Sequence, residues 1–488
     1  MRLQELAEGE AELELSPAAG EIEIAMLTAD SRAVEPGSLF AALAGSNADG
    51  SRYVADAVGR GAAAILAKSD ANVAVPEGVA LLLSQEPRRT LARLAARLYR
   101  PQPATIVAVT GTSGKTSVAD FARQIFTRLG RTAASLGTLG VVKAGAASYG
   151  ALTTPDPVTL HQTLATLAQD GVSHLALEAS SHGLDQRRLD GVALSAAAFT
   201  NLGRDHLDYH ASIDAYFAAK LRLFAELLPP TGTAVVNADA EHAPQVIAVA
   251  TATGHKVLTV GRAGTSLKLE GVRPDGFGQH LKVRCGKEVH DIHLPLLGDY
   301  QASNALVAAA LVMATGEPGA AVVAALAGLA GVKGRLEIVA RPRGGLIVID
   351  YAHKPDALAA ALLALKPFAP GRIVCVFGCG GDRDRGKRPL MGRIATELAA
   401  SVIVTDDNPR SEDPALIRAE ILAAAPGGRE IPDRQQAISA GVRLIGKGDV
   451  LLIAGKGHET GQIIGSAVLP FSDHEAVRAA LSEAPLNV

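Results

Sequence analysis

A lysine and a threonine that follow a glycine-rich turn are the first residues in this sequence whose types and spacing suggest chemistry. The stretch reads Thr110-Gly-Thr-Ser-Gly-Lys-Thr-Ser117. Apolar residues at 106–109 and an apolar-periodic segment at 118–126 predict a strand before the turn and a helix after it. The backbone N–H groups of such a loop bind phosphate, helped by the helix N-terminus. Lys115 would reach the β- and γ-phosphates of a nucleotide, and Thr116 would hold Mg²⁺.

The spacing of this loop leaves its class open. Gly-x-x-Gly-Lys-Thr is two residues shorter than the common phosphate-loop pattern, so a general nucleotidase or kinase fits imperfectly. The alternative is a glycine-rich turn that binds nothing. A lysine next to a hydroxyl at the helix start favours the phosphate site.

Two more polar clusters follow predicted strands of the same region. Residues 174–182 end in Glu178, two serines and a histidine, and residues 196–202 lead into Gly203-Arg-Asp-His206. Because ligands gather at the carboxyl ends of parallel strands, we expect both clusters beside the phosphate loop. Glu178 is then a candidate Mg²⁺ ligand, with His206 near a second ion. A histidine satisfied within the core is the alternative, and the clustering favours function.

Lys220 lies among apolar residues of a predicted helix over 215–224. Its side chain could extend to solvent along the helix, as most such lysines do. Buried near phosphates and metal, a neutral lysine could instead accept CO₂ as a carbamate. The residue types alone leave both interpretations open.

The last third of the chain repeats the pattern of a strand followed by charged residues. Strands predicted at 346–349, 373–377, 402–404 and 450–453 each end in such a cluster, so the four ends define one mouth. Its arginines could bind a carboxylate bidentately, while Asp407 and Glu459 could hold an ammonium group. This mixture suits a zwitterionic amino acid. Scattered surface salt bridges are the alternative.

Length and composition limit the fold and the partners. A chain of 488 residues suggests about three domains. Hydrophobic residues make up 48% and aromatic residues 3%, which favours an α/β protein with parallel sheets. The net charge is −3 and no basic run carries interleaved aromatics, so we expect no nucleic-acid partner. No apolar segment reaches 18 residues and the acidic start lacks a signal-peptide core, which predicts a cytoplasmic protein without a membrane span.

Two proline- or glycine-rich segments mark candidate boundaries. Arg100-Pro-Gln-Pro103 disfavours a continuous helix, and residues 331–337 have the composition of a hinge. We therefore expect domains at 1–102, 103–332 and 333–488. Within the first, the pattern predicts an alanine-rich helix over 54–66 and a strand over 79–83.

Taken together, these motifs resemble the Mur ligases, the ATP-dependent amino-acid ligases of peptidoglycan synthesis, over nearly the whole chain. The segments that carry the resemblance are Thr110–Thr116, Glu178-Ala-Ser-Ser-His182, Asn201, Asp205-His206, Lys220, Asn304 and Asp350-Tyr-Ala-His353. Within the family, Asp30-Ser-Arg32, Thr153-Thr-Pro-Asp156 and Asp407-Asn-Pro-Arg410 are similar to the members that add diaminopimelate. Leu152 and Ala179 depart from common family residues without removing a catalytic group.

The resemblance implies a fold, two substrates and a nucleotide. The fold would be a central P-loop parallel-sheet ATPase domain between an N-terminal α/β UDP-binding domain and a C-terminal Rossmann-like domain. A monomer would join meso-2,6-diaminopimelate to UDP-N-acetylmuramoyl-L-alanyl-D-glutamate through an acyl phosphate, using ATP and Mg²⁺. By motif, Ser31, Ser46, Asn47 and Ala48 would contact the uridine, and Thr153, Thr154, Ser180, Gln186 and Arg188 the muramoyl dipeptide.

The remaining site residues also follow from the resemblance. ATP would be bound by Gly111, Thr112, Ser113, Gly114, Lys115, Thr116, Ser117, Asn304 and Arg335. Metal would be held by Thr116, Glu178, His206 and carbamylated Lys220, and catalysis would depend on Lys115, Lys220, Arg188 and His206. Diaminopimelate would be contacted by Arg383, Asp407, Asn408, Pro409, Arg410, Gly455 and Glu459.

Three other functions compete with this one. A lysine-adding Mur ligase should not need Arg410 to bind a second carboxylate. A folylpolyglutamate synthetase would lack the first hundred residues and the Asp-Asn-Pro-Arg segment. A non-catalytic nucleotide-switched binding protein would release phosphate without needing either substrate.

Overall fold

The structure is a computed structural model that describes residues 1–10, 13, 19–45, 49–148, 152–206 and 208–483, with the backbone only at 146–148. The chain divides into two compact units. One comprises 1–267 with 306–322, and the other 268–305 with 323–488. Both contain parallel sheets with helices, which confirms the α/β class. Within the described ranges, no helix is both long and apolar enough to cross a membrane.

The first unit begins with a small sheet of four parallel strands, which lie side by side in chain order. Its elements are α1 Leu3–Leu6, β1 Met26–Thr28, β2 Ser38–Ala41, α2 Val54–Gly59, β3 Ala62–Lys68, β4 Ala80–Ser84 and α3 Pro87–Leu98. The helix predicted over 54–66 is wrong in its second half. It ends before Gly61, whose φ of +98° turns the chain, and the alanines that follow form β3 because that strand is buried between β2 and β4.

A larger sheet holds the phosphate loop. Its strands in the first unit are β5 Thr105–Thr110, β6 Ala133–Gly137, β7 Gly140–Lys143, β8 Ala146–Ser148, β9 His174–Glu178, β10 Leu194–Phe199, β11 Thr233–Asn237 and β12 Lys256–Gly261. The helices are α4 Lys115–Arg128, α5 Pro157–Gln169, α6 Ser181–Asp185, α7 Ile213–Arg222 and α8 Ala243–Ala252. Strand β5 lies between β9 and β10, parallel to both. The loops that leave these three strands therefore start at the same edge of the sheet.

The second unit is built around a six-stranded sheet. The strands of this sheet are β16 Glu337–Ala340, β17 Leu346–Asp350, β18 Ile373–Phe377, β19 Ser401–Val404, β20 Arg429–Glu430 and β21 Val450–Ala454, in the order β16-β17-β21-β18-β19-β20. Outside this sheet, the unit contains β13 Leu267–Asp275 from its second residue on, β14 Gly278–Cys285, β15 Glu288–Leu294, β22 Gly461–Ile464 and β23 Ala467–Pro470. Its complete helices are α11 Pro355–Leu365, α12 Lys387–Leu398, α13 Pro414–Leu422, α14 Arg434–Leu444 and α15 Asp473–Glu483. Helices α9 Asp299–Ala314 and α10 Gly319–Ala325 are divided between the two units.

The sheet of the second unit explains its mouth of charged residues. Strands β17, β21, β18, β19 and β20 run parallel, and β16 pairs antiparallel at one edge. All four strands expected from the sequence are present, because each is a continuous buried apolar run of the kind that a covered parallel sheet needs. Their carboxyl ends share one edge of the sheet.

Candidate active site

The phosphate loop joins β5 to α4 and is held by the segment that follows β10. Gly111 and Gly114 have φ of +148° and +90°, which favours glycine at both positions. Asn201 Oδ1 accepts from Ser113 N at 2.9 Å, and its Nδ2 donates to Ser113 O at 3.2 Å. Thr112 N donates to Asn201 O at 2.9 Å. The loop is thus fixed by hydrogen bonds to the end of a neighbouring strand.

Two lysines meet at one carbonyl of this loop. Lys115 Nζ and Lys220 Nζ each donate to Gly111 O at 2.8 Å. Lys220 is only 1% exposed, and its Nζ lies 4.2 Å from the centroid of the Tyr216 ring. The alternative of a solvated, snorkelling Lys220 is therefore wrong. The candidate carbamate position lies inside the protein, against the phosphate loop.

Glu178 is oriented by hydroxyl and backbone groups at the end of β9. Its Oε1 accepts from Thr138 N at 2.7 Å, and its Oε2 accepts from Thr116 Oγ1 at 3.1 Å and Thr138 Oγ1 at 3.2 Å. A Cβ added at Gly137 would lie 2.1 Å from Oε1, so only glycine permits this approach. Adjacent carboxylate and hydroxyl oxygens are ligands that suit Mg²⁺.

His206 lies in a different environment from Glu178. It has a φ of +52°, its side chain is 41% exposed, and its ring centroid is 4.8 Å from that of His182. Tyr209 and His210 also pack against His182. Among the described residues, no three His, Cys, Asp or Glu side chains are grouped as a metal site. The structure thus places His206 in a cluster of aromatic rings.

The residues expected to hold the muramoyl dipeptide continue from Glu178. Thr154 Oγ1 donates to Glu178 O at 2.8 Å and accepts from Ser180 N at 3.1 Å. Arg188 donates to Thr154 O at 2.6 Å and to Gln186 Oε1 at 2.7 Å. The remaining member, Thr153, lies 3.1 Å from Thr138 between their hydroxyl oxygens. The structure therefore brings all five residues together, beside the end of the phosphate loop that carries Thr116.

A cavity of about 520 Å³ opens next to this chain of hydrogen bonds. Its lining includes residues 26–30 of the small sheet, residues 156–159 at the start of α5, and Gln186 and Arg188. Arg88 also lines it and donates to Ala44 O at 2.6 Å. Ser31 is buried beside this lining. Ser46, Asn47 and Ala48, the other expected uridine contacts, lie outside the described residues.

In the second unit, the two expected nucleotide contacts share a glutamine. Asn304 Nδ2 donates to Gln301 Oε1 at 3.0 Å, and Gln301 Nε2 donates to Arg335 O at 3.1 Å. The Arg335 guanidinium lies 4.5 Å from the centroid of the Tyr351 ring. Burial raises the pKa of Tyr351 to about 12, and the negative charge of Glu459 acts in the same direction. Because Tyr351 directly follows β17, Arg335 lies against one of the polar clusters at the strand ends of this unit.

Arg410 is held in an unusual backbone conformation. Its φ is +52°, and the β22–β23 hairpin fixes it, because Arg410 N donates to Ile463 O at 3.0 Å and Gly465 N donates to Arg410 O at 2.7 Å. Its guanidinium donates to Gly381 O at 2.8 Å. Arg383 lies on the glycine-rich loop that contains Gly381, after β18, and is exposed. Hydrogen bonds from Ser411 lower the pKa of the intervening Asp382, with smaller contributions from Arg410 and Arg383.

Behind the arginines lies a buried group of polar side chains. Asn408 Oδ1 accepts from Lys456 Nζ and from Ile463 N, both at 3.0 Å, and Asn408 Nδ2 donates to Glu459 Oε2 at 2.9 Å. Asp407 is 6% exposed, and its Oδ1 has no hydrogen-bond partner. The alternative of scattered surface salt bridges is wrong for these charges, because Asp407 and Lys456 are buried and both carboxylates are ion-paired with the same lysine.

The backbone around this group is also tightly packed. Gly455 has a φ of +114°, and a Cβ there would lie 3.2 Å from Asp407 Oδ2. A Cβ added at Gly381 would lie 1.9 Å from the carbonyl oxygen of Pro409. The loops after β18 and β21, which carry predicted amino-acid contacts, therefore each approach the loop after β19 at a glycine.

Family models match three stretches of the chain. They describe the Mur ligase family catalytic domain at residues 23–99, the Mur ligase middle domain at 109–312, and the Mur ligase glutamate ligase domain at 334–457. Two curated relatives are both named UDP-N-acetylmuramoyl-L-alanyl-D-glutamate--2,6-diaminopimelate ligase. The protein of Brucella melitensis is 57% identical over 471 residues, 96% of each chain, and that of Rhizobium meliloti is 56% identical over 464 residues, 95% of each.

The chain belongs to the Mur ligase family.

Solved structures agree with this membership. A structure titled as the same diaminopimelate ligase is 32% identical to this Mur ligase, with a TM-score of 0.73 and 99% of each chain covered. A folylpolyglutamate synthase of Mycobacterium tuberculosis, solved with ADP and AMPPCP, shares the fold at 21% identity and a TM-score of 0.63, over 82% of this chain. The family and the fold class expected from the motifs are confirmed.

The motifs do not identify three residues that contribute to the candidate sites of this Mur ligase. Thr138 orients Glu178, Arg88 lines the cavity, and Lys456 joins Asn408 to Glu459. Arg88 had one signal: a cation in the first turn of α3 opposes the helix dipole and so needs another reason to be there. Lys456 had a weaker one, its place between two glycines next to other polar residues. Thr138 had none, since threonines in turns are common.

Proposed function

We propose that this Mur ligase joins meso-2,6-diaminopimelate to UDP-N-acetylmuramoyl-L-alanyl-D-glutamate with cleavage of ATP to ADP and phosphate. Relatives at 55–57% identity are named for this reaction. The observation that carries the proposal is the continuous chain of hydrogen bonds from Thr116 through Glu178 to Thr154 and Arg188. It supports a site in which a phosphate and a substrate carboxylate lie side by side. ADP-bound relatives of the same fold support nucleotide binding.

In the first step, a side-chain carboxylate oxygen of the D-glutamate attacks the γ-phosphorus of ATP, and ADP leaves. The product is an acyl phosphate, whose phosphate is a much better leaving group than an oxide. Negative charge grows on the transferred oxygens, where fixed cations and N–H donors act most strongly. Lys115 and the backbone of the phosphate loop would supply these on one side, and Arg188 on the other.

In the second step, the neutral amine of diaminopimelate attacks the acyl carbon. Phosphate leaves, the nitrogen loses a proton, and an amide forms. The buried charges around Asp407 and Arg410 would orient the distal end of the amino acid, because both signs of charge are present at that end. Positioning of this kind supplies a large share of the rate of such bimolecular steps.

We include a Mg²⁺ site at Thr116 and Glu178, whose adjacent oxygens fit the preference of this ion. Bound there, the ion would neutralise phosphate charge during transfer. Lys220 would join the site as a carbamate, formed from CO₂ and the neutral amine with loss of one proton. The family motif assigns His206 to the same metal site. Its ring packs against those of His182 and Tyr216, an environment that suits contact with the substrate as well as with a metal ion.

The division into domains at 1–102, 103–332 and 333–488 also stays a proposal. The first would bind the UDP end, the second ATP, and the third the amino acid. The matched family models at 23–99, 109–312 and 334–457 support such a division. Since UDP-linked precursors and ATP are cytoplasmic metabolites, we place the reaction in the cytoplasm. We also propose that the enzyme acts as a monomer.

One assay tests the reaction and its alternatives. ADP release is measured with and without the UDP-linked dipeptide, against a panel that includes meso-diaminopimelate, L-lysine and L-glutamate. We expect release only when both the UDP substrate and diaminopimelate are present. Equal use of lysine would indicate a lysine-adding ligase, use of a folate substrate with glutamate would indicate the synthetase, and release without either substrate would indicate a nucleotide switch.

A further inference from the structure

Lys456 is a buried lysine to which the reaction described above gives no role. It follows β21 and is 0% exposed. Its Nζ lies 3.0 Å from Asn408 Oδ1, 3.1 Å from Glu459 Oε2 and 3.5 Å from Asp407 Oδ1. A lysine is rarely buried unless it is paired. Here all three partners belong to the residues expected to contact the amino acid.

The contacts of Asn408 show what Lys456 does to its neighbours. The amide oxygen of Asn408 already accepts two hydrogen bonds, from Lys456 and from Ile463 N, and its amide nitrogen donates to Glu459. An amide oxygen has two lone pairs, so that oxygen is saturated by the protein. Asn408 therefore connects Lys456, Glu459 and the β22–β23 hairpin.

The charges of the group lead to the same residue. Asp407 and Glu459 are carboxylates that share Lys456 as a neighbour, and two nearby carboxylates in a buried site repel each other unless a cation separates them. Two other cations interact electrostatically with Asp407, but Arg434 is paired with Asp473 and Lys387 donates to His353 O. One cation thus faces two carboxylates, so Lys456, Glu459 and Asp407 together carry one net negative charge. Asp407 is the less closely paired of the two carboxylates, because its Oδ1 lies 3.5 Å from Lys456 Nζ and accepts no hydrogen bond.

We propose that Lys456 is a positioning residue for the amino-acid substrate: it fixes Glu459 and Asn408 and neutralises one carboxylate, so that Asp407 is left to pair with one ammonium group. This inference rests on the proposed function, since it specifies how the same pocket binds its amino acid. Lys456 itself touches no reacting atom. The effect of removing it should therefore appear in the use of the amino acid and nowhere else.

The first test replaces Lys456 by methionine, which keeps the length of the side chain without its charge. Truncating one member of a buried, hydrogen-bonded charge group weakens binding by about thirty-fold or more. We expect the KM for diaminopimelate to rise by at least that factor in Lys456→Met, while the KM values for ATP and the UDP substrate stay within about twofold. Lys366→Met, at an exposed lysine of the same unit, is the matched control. Unchanged KM for diaminopimelate would overturn the proposal.

A double-mutant cycle separates positioning from bulk stability. If Lys456 acts by holding Glu459, Lys456→Met combined with Glu459→Gln should lose no more than the worse single variant. Losses that multiply would mean independent roles and overturn the proposal. Thermal melting and calorimetric binding of the UDP substrate check the fold of each variant. Lys456→Gln, which keeps an N–H donor, serves if methionine prevents folding; failure of both to fold would make Lys456 a stability residue instead.

The outcomes also separate this inference from the proposed function. Wild-type protein that uses no diaminopimelate contradicts the proposed reaction itself. Wild-type protein that is active beside an equally active Lys456→Met variant contradicts only the positioning role.

Discussion

The phosphate-loop region and the amino-acid pocket solve the same problem by different means. Both lie at the carboxyl ends of parallel strands. Around the phosphate loop, position is fixed by backbone groups, hydroxyls and glycines, as in the approach of Gly137 to Glu178. In the amino-acid pocket, glycines also permit close approach of the loops, but the functional side chains are held by ion pairs among buried charges such as Lys456 and Asp407. The first region should therefore be sensitive to added volume, and the second to removed charge.

The largest effect should come from Lys220, the buried lysine of the phosphate-loop region. It is an exception in this region, because the change removes a functional group and does not add volume. If Lys220 completes the metal site as a carbamate, Lys220→Ala should reduce kcat by about 10³-fold or more. Added short carboxylates such as acetate should restore part of the rate by replacing the carbamate. The exposed Lys256→Ala is the control. Full activity of the Lys220 variant would rule out any catalytic use of this lysine.

The second effect tests charge in the amino-acid pocket. meso-Diaminopimelate differs from L-lysine by one carboxylate, and the planar guanidinium of Arg410 suits that group. Losing this pairing in a desolvated site costs about 2–5 kcal/mol, which is roughly thirty-fold to several-thousand-fold in kcat/KM. Arg410→Ala should lose this factor for diaminopimelate and change the poor lysine reaction little. Kinetics with both amino acids on both proteins decide the matter, and an equal loss for the two would contradict the carboxylate role.

Added volume beside Glu178 should give a smaller loss. The new methyl group of Gly137→Ala would overlap Glu178 Oε1, so the carboxylate must shift away from Thr138. We expect kcat to fall by roughly a hundred-fold, since a misplacement of about 1 Å in an active site has that effect. Gly59→Ala, where a Cβ would meet nothing within 4 Å, is the matched control. Equal activity of the two variants would show that the position of Glu178 is not critical.

The smallest effect concerns the scaffold under the first region. His161 is fully buried on α5, its Nε2 lies 3.2 Å from Asp190 O, and burial lowers its pKa to about 4. Between that value and the unfolded value of about 6.5, the unfolded chain binds more protons, so stability falls as the pH falls through this window. At pH 5 the loss is about 2 kcal/mol.

Calorimetric melting between pH 7.5 and 4.5 measures this loss. The melting temperature of His161→Gln should depend less on pH than that of the wild type across the window. The exposed His293→Gln is the control. Parallel pH profiles for wild type and His161→Gln would show that His161 does not carry the effect.

The sequence predicted the strands that carry the candidate site, β5, β9, β10 and four strands of the second unit, because each is an apolar run followed by polar residues. It failed at Ala62–Lys68, where alanine is a strong helix former and only the neighbouring strands make a strand the better choice. Local propensity cannot show which strands a segment will lie between. Tertiary burial decided the outcome there.

The candidate site divides along the same line. The phosphate loop was predicted because its chemistry is contained in consecutive residues. Thr138 was missed, since its role exists only because the turn after β6 meets the end of β9. The sequence shows Lys456 within a polar segment, but it does not show that the lysine is buried. Its burial and its contact with Asn408 depend on the packing of residues about fifty positions apart. Residue types in consecutive positions thus predict the chemistry of a site, whereas the function of a single side chain also depends on its tertiary contacts.

The hairpin that fixes Arg410 has a consequence for how amino-acid choice could change over evolution. Its backbone sets the conformation of Arg410 through Ile463 and Gly465, while its side chains Ile464, Val468 and Leu469 are exposed. Substitutions on that outer surface are released from packing constraints, yet insertions or deletions in the hairpin would re-aim the guanidinium. A change of substrate could thus arise by altering the length of a surface ribbon, with every charged residue of the pocket retained. Grafting hairpins between family members would be a route to redesigning the acceptor amino acid.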